Sequence, residues 1–177
     1  MNSHTMSELP APEPRVAAAI ARLTGIHAAT VCPLKPDFSL DEAALAAHVS
    51  GVASHDGIEG LLINGHAGEN FLLSREDKRR VVAICREALG PDVFLTSGVN
   101  AESSLEAALH ARDAEEAGAD AILLFPPNAW GLFRDGTSAL LHHRHAMAGC
   151  SLPFLLYQAP VGAGAMPMRH GLTLGEL

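Results

Sequence analysis

Lysine is nearly missing from this chain: only Lys35 and Lys78 occur in 177 residues. Lys and Arg together number 12 against 20 Asp and Glu, a formal net charge of −8. That sign repels phosphate and excludes a non-specific nucleic-acid binder or a protein held on an anionic membrane. Aromatic residues are 5% of the sequence, too few for a base-stacking surface. No apolar run approaches the ~20 residues that span a bilayer. The cysteines, Cys32, Cys85 and Cys150, are odd in number, far apart and without a CxxC. Such a set makes no disulfide framework, so free thiols in a reducing cytoplasm are expected. The N-terminus carries Glu8, Glu13 and prolines instead of a basic leader, which disfavours a signal peptide. Neither a GxGxxG nor a Walker A loop is present, which argues against a nucleotide site of either kind.

What is present is an apolar content of 48%, with 16 glycines and 11 prolines. That suffices for a sizeable core and argues against disorder. Residues 1–22 are expected to form a flexible polar tail, and 23–177 a single α/β unit. Apolar β-type runs at 26–32, 58–64, 93–99, 119–125 and 152–158 begin 32, 35, 26 and 33 residues apart. Helix signals lie between them. Ser39-Leu40-Asp41-Glu42 has the form of a capping box before Leu45, Val49 and Val52, with Gly57 as a stop. Ser74 to Asp77 opens a second stretch, with Val81, Ile84, Cys85 and Ala88 as its apolar stripe and Gly90-Pro91 at its end. Ser103 to Glu106 opens a third, with Leu105, Ala108 and Leu109 expected inward and Gly118 beyond it. A fourth covers 137–148 before Gly149. Continuous apolar strands alternating with helices imply a parallel sheet covered by helices. A (β/α) barrel and a doubly wound sheet both begin this way.

In either architecture the ligand lies at the carboxyl ends of the strands. The segments placed there are Pro33-Leu34-Lys35, Gly65-His66-Ala67-Gly68-Glu69, Gly98-Val99-Asn100, Pro126-Pro127-Asn128 and Tyr157-Gln158-Ala159-Pro160. The second is the most informative. Two glycines around a tight turn can aim successive backbone N–H groups at one carboxylate or phosphate, although a plain βα turn uses the same residues. Tyr157 ends a run expected to be buried, where a phenol serves either packing or proton transfer. Asn100 has the position of a helix N-cap, and Glu69 that of an acceptor for backbone N–H groups at a helix start. Lys78, beside Arg79 and Arg80, is expected on a solvated helix face. Only His142 and His145 of the His142, His143, His145 cluster share a helix face, so a surface helix is favoured there over a metal site.

Together these segments resemble the dihydrodipicolinate synthase and N-acetylneuraminate lyase family of class I aldolases. Gly65, Gly68 and Glu69 meet its G-[TS]-T-G-E pattern, and Leu73-Ser74-Arg75-Glu76 its L-[ST]-x-E. Gly118-Ala119-Asp120-Ala121 is similar to its G-A-D-A. Leu156-Tyr157-Gln158-Ala159-Pro160 is similar to its L-Y-N-x-P, with Gly164 after it. The resemblance implies a (β/α)8 TIM-barrel type fold, incomplete here, with about five βα strands. It implies a lyase or aldolase acting on pyruvate or another small 2-oxo acid through a Schiff base, with neither metal nor cofactor. His66 and Ala67 would form the carboxylate turn, and Tyr157 would relay protons. The imine-forming lysine would sit on a sixth strand, expected beyond residue 177. Where the family's synthases carry turn hydroxyls this chain has His66 and Ala67; at the substrate arginine it has Gly162. Asn128 and Ala129 replace an aromatic pair. These departures imply a 2-oxo acid chemistry other than dihydrodipicolinate synthesis. A homo-oligomer is expected, because five strands of a barrel leave two sheet edges open. A non-catalytic, carboxylate-binding protein or an inactive fragment is the alternative.

Overall fold

The computed structural model of the protein describes residues 13–128 and 136–157. Five strands form one sheet: β1 (Ile26–Ala29), β2 (Ile58–Ile63), β3 (Phe94–Val99), β4 (Ala121–Leu124) and β5 (Phe154–Leu156). Every neighbouring pair is parallel and the spatial order is β1-β2-β3-β4-β5. A doubly wound sheet reverses direction at a switch point, whereas a barrel adds each strand beside the last. The unbroken order therefore identifies the barrel type, of which these residues form an incomplete arc.

Helices α2 (Glu42–Ala53), α3 (Arg75–Leu89), α4 (Ser104–Glu116) and α5 (Gly136–Met147) alternate with the strands. Their starts follow local chemistry. Ser74 and Asp77 form a reciprocal capping box on α3, and Ser103 Oγ accepts the Glu106 N–H on α4. At α2 the expected cap shifts by two residues. Asp41 accepts from Ala44 N at 3.0 Å, while Ser39 donates its own N–H and hydroxyl to Asp37. Gly90 ends α3 at a φ of 68°, a conformation that strains a side chain.

The helix-side face of the sheet is apolar and buried. Leu61, Ile63, Leu95, Val99, Ile122 and Leu124 pack against Leu45 and Val49 of α2 and against Val81, Ile84 and Cys85 of α3. Two expected stripes are corrected. In α3 Val82 is buried while Ala88 is exposed. In α4 Leu105 is 70% exposed, and Ala107, Ala111 and Ala114 form the inward face. Alanines at i, i+4 and i+7 let the helix approach the sheet closely, so the larger leucine turns outward. Part of the expected tail is also ordered: Pro14–Ala21 is helix α1, favoured by Pro at its first turn and by its alanines. No helix among the described residues is long and apolar enough to cross a membrane.

A clasp closes the end of the sheet where the strands begin. Arg86 of α3 pairs with Asp120 at 2.6 Å and donates to the carbonyls of Gly118 at 2.9 Å and Val93 at 3.1 Å. The same Asp120 oxygen accepts the N–H of Leu95 at 2.9 Å. One ion pair thus joins α3, the entry to β3 and the entry to β4. This explains the Gly118-Ala119-Asp120 motif as structural. The Asp120→Ala protein should lose about 3 kcal/mol, since it strands a largely buried guanidinium and a backbone donor. Urea unfolding measures it, and a loss within error of zero would contradict the clasp.

Candidate functional site

At the opposite end of the sheet the chain leaves β2 through Asn64, whose φ is 51°. Asparagine tolerates this left-handed conformation better than most residues. The turn drives the Asn64 carbonyl against Gly98 of β3, where an added Cβ would stand 2.2 Å from the oxygen. Asn70 is fully buried and donates to that carbonyl at 2.9 Å. The Asn64 amide itself donates to the Lys78 carbonyl at 2.9 Å and to Ser97 Oγ at 3.2 Å. The turn is thereby fastened to α3 and β3.

Beyond Gly65 a single 3-10 turn covers His66–Gly68. Gly68, Glu69 and Asn70 direct their N–H groups back to carbonyls within the turn. The N–H groups of His66 and Ala67 have no acceptor among the described residues. Gly68 rests on the end of β1, 3.3 Å from the Thr30 carbonyl measured from an ideal Cβ.

Three rings meet above the sheet. His66 stacks on Phe125 with centroids 4.1 Å apart, and Tyr157 meets His66 edge-on at 5.6 Å and Phe125 at 4.7 Å. Phe125 follows β4 and Tyr157 follows β5, so three strand ends supply one cluster. Partial burial against these rings lowers the His66 pKa below its ordinary value. Tyr157 is half-buried, and its hydroxyl makes no hydrogen bond among the described residues. An imidazole with a lowered pKa, a phenol and two N–H donors, the last three without partners among the described residues, therefore share one rim.

The chain matches the dihydrodipicolinate synthetase family across residues 22–169. It is 35% identical over 145 residues to a 4-hydroxy-tetrahydrodipicolinate synthase of Methanothrix thermoacetophila, covering 79% of this chain and 46% of that protein. A dihydrodipicolinate synthase structure from Agrobacterium tumefaciens superposes with a TM-score of 0.73 at 27% identity, over 80% of this chain and 47% of its own. An N-acetylneuraminate lyase structure from Mycoplasma synoviae gives 0.71 at 25%, over 78% and 46%. The chain belongs to the dihydrodipicolinate synthetase family. It spans about half the length of the curated relatives it matches.

The family's motif residues Gly65, Gly68, Glu69 and Tyr157 fall at this rim, and His66 and Ala67 lie within the same turn. Phe125 was not singled out from sequence, although it closes the 119–125 run that points to the rim. Gly98 and Asn70 were not singled out for their support of the turn. Three expectations are corrected. Asn100 caps no helix; Ser103 does, and Asn100 instead accepts from the Asn128 amide at 3.3 Å, linking the loops after β3 and β4. Glu69 is exposed with φ 52°, and its carboxylate accepts no hydrogen bond among the described residues. Lys78 is half-buried between α3 and α4, and desolvation lowers its pKa. Lys35 is exposed and lines a groove with Glu42 and Arg80, away from the rings.

In α5, His142 meets Ser104 Oγ at 3.1 Å, and the Nδ1 atoms of His143 and His145 meet the carbonyls of Ala139 and Leu141. Among the described residues no three His, Cys, Asp or Glu side chains are grouped to hold a metal ion. Ala129, Gln158, Ala159, Pro160, Gly162 and Gly164 lie outside the described residues. Gly98→Ala forces the Asn64 carbonyl away, so a loss of about 2 kcal/mol is expected, typical of overpacking. The amide resonances of residues 64–70 should shift with it. A stable variant with those resonances unmoved would remove Gly98 from the support of the turn.

Proposed function

We propose that the protein is an aldolase-type lyase of the dihydrodipicolinate synthetase family whose substrate is pyruvate or another small 2-oxo acid. The substrate carboxylate accepts hydrogen bonds from the N–H groups of His66 and Ala67, and Tyr157 relays protons at the reacting carbon. The observation that carries this reading is the convergence of those two uncommitted donors with His66, Phe125 and Tyr157 on one rim. Backbone donors bind a carboxylate whatever the side chain, so the role survives His66 and Ala67 in place of hydroxyl residues. Phe125, 2% exposed, gives the rim an apolar floor beside the anion site. A compact 2-oxo acid offers the matching pair of groups, a carboxylate and a short carbon chain.

Schiff-base chemistry needs an amine, which condenses with the 2-oxo carbon and releases water; the protonated imine then accepts the electron pair of the breaking C–C bond. The family resemblance assigns that amine to a sixth strand. Neither Lys35 nor Lys78 adjoins the ring cluster. The residues present therefore account for carboxylate binding and proton relay, and the imine step depends on the family lysine. Exposed Phe38, Phe71, Leu72 and Leu105 support association of this chain with itself, since apolar surface of this kind favours a protein interface.

Pyruvate added to the 15N-labelled chain should move the amide resonances of residues 65–68, and Tyr157→Phe should leave most of that response intact. Borohydride reduction in the presence of pyruvate should leave Lys35 and Lys78 unmodified by mass spectrometry. An adduct on either would transfer the amine role to it. Unmoved amides across a panel of 2-oxo acids would overturn the carboxylate turn.

A further inference from the structure

The rim contains an imidazole with no counter-ion among the described residues. His66 owns one of the two free N–H groups and also the ring stacked on Phe125. An anion held by that N–H lies within one side-chain length of the ring. Among the described residues, the groups packed around His66 supply no competing charge. Phe125 from the end of β4 is apolar, and Tyr157 from the end of β5 presents a phenol ring edge-on. On its own loop Glu69 is exposed, and burial is the one resolved influence on the imidazole. Beneath the turn, Cys32 lies 3.7 Å from an ideal Cβ on Gly68, and burial pushes its thiol up to about 11, so it is uncharged at neutral pH.

We infer that His66 is the proton-coupled partner of the bound carboxylate, neutral in the empty site and protonated when a 2-oxo acid enters. The inference rests on the carboxylate turn proposed above. The proton comes from solvent and adds to the unprotonated ring nitrogen; no other bond forms or breaks. An opposite charge within about 4–6 Å favours the charged form by roughly 1–3 pKa units, and partial desolvation strengthens that attraction. The complex then carries an acid beside the Tyr157 ring, a proton source that the empty site lacks. A hydroxyl at this position could not provide it, so the His66 substitution adds a function to the turn.

The pH dependence follows in sign. Burial lowers the His66 pKa in the empty site, and the bound carboxylate raises it. Between the two values, binding takes up one proton, so affinity weakens about tenfold per pH unit as pH rises. Below the lower value and above the higher one, the affinity is flat. Serine, threonine or glutamine at 66 removes the slope.

The test follows the His66 Cε1–Hε1 resonance of the full chain through a pH titration, without and with saturating pyruvate, with His66→Gln used for assignment. The expected result is a titration midpoint raised by about one unit or more, with a pyruvate affinity whose pH slope is lost in His66→Gln. Amides of residues 65–68 that move with pyruvate while the His66 midpoint stays fixed would overturn the proton coupling and leave the carboxylate turn standing. Amides that do not respond to pyruvate would overturn both. The wild-type titration decides the matter even where the variant fails to fold.

Discussion

The candidate site depends on one close approach, that of the Asn64 carbonyl to the α-carbon of Gly98. Because Asn64 turns left-handed, the chain leaves β2 abruptly and folds residues 65–69 back over the sheet. Any side chain at residue 98 would occupy the oxygen's place. The buried Asn70 amide and the Asn64 amide then direct their hydrogen bonds to fixing this bend. The consequence for chemistry is that the His66 and Ala67 N–H groups are left without acceptors among the described residues. A rigid support on β3 and α3 places them, which suits recognition of a small anion.

The two ends of the sheet do different work. Where the strands begin, Arg86 and Asp120 spend nearly all their polar atoms on backbone groups and on each other. Where the strands end, polar groups have no partner among the described residues: two N–H donors, the Tyr157 hydroxyl and the His66 ring. This division matches the general behaviour of parallel barrels, in which the far end secures the fold and the carboxyl end carries the variable chemistry. It also separates the family motifs by purpose. Gly118-Ala119-Asp120 serves the clasp, whereas Gly65, Gly68 and Tyr157 serve the rim.

Much of the fold was legible because its signals are local. The capping box at Ser74 and Asp77, the cap at Ser103 and the left-handed Gly57, Gly90 and Gly118 all act within a few residues of themselves. The strand runs were legible because a sheet covered by helices buries continuous apolar segments. The errors have a common origin. Leu105 looked inward by hydrophobicity, but α4 buries alanines because the available space between helix and sheet is small. Lys78 looked solvated beside Arg79 and Arg80, but its position on α3 turns it toward α4 and His110. Asn100 looked like a cap, but the loop after β4 lies close enough to bond it.

The sequence by itself determined the βα rhythm, the helix starts and stops, the family, and the turn that carries His66 and Ala67. Each of these is set by neighbours in the chain or by residue patterns along it. The tertiary structure alone decided that the strands run in unbroken order, that Phe125 joins His66 and Tyr157, and that Gly98 supports Asn64. Those contacts join residues some thirty to ninety positions apart. No periodicity or local propensity encodes such distances, because they are fixed only when parallel strands pair in register and bring their carboxyl ends to one rim.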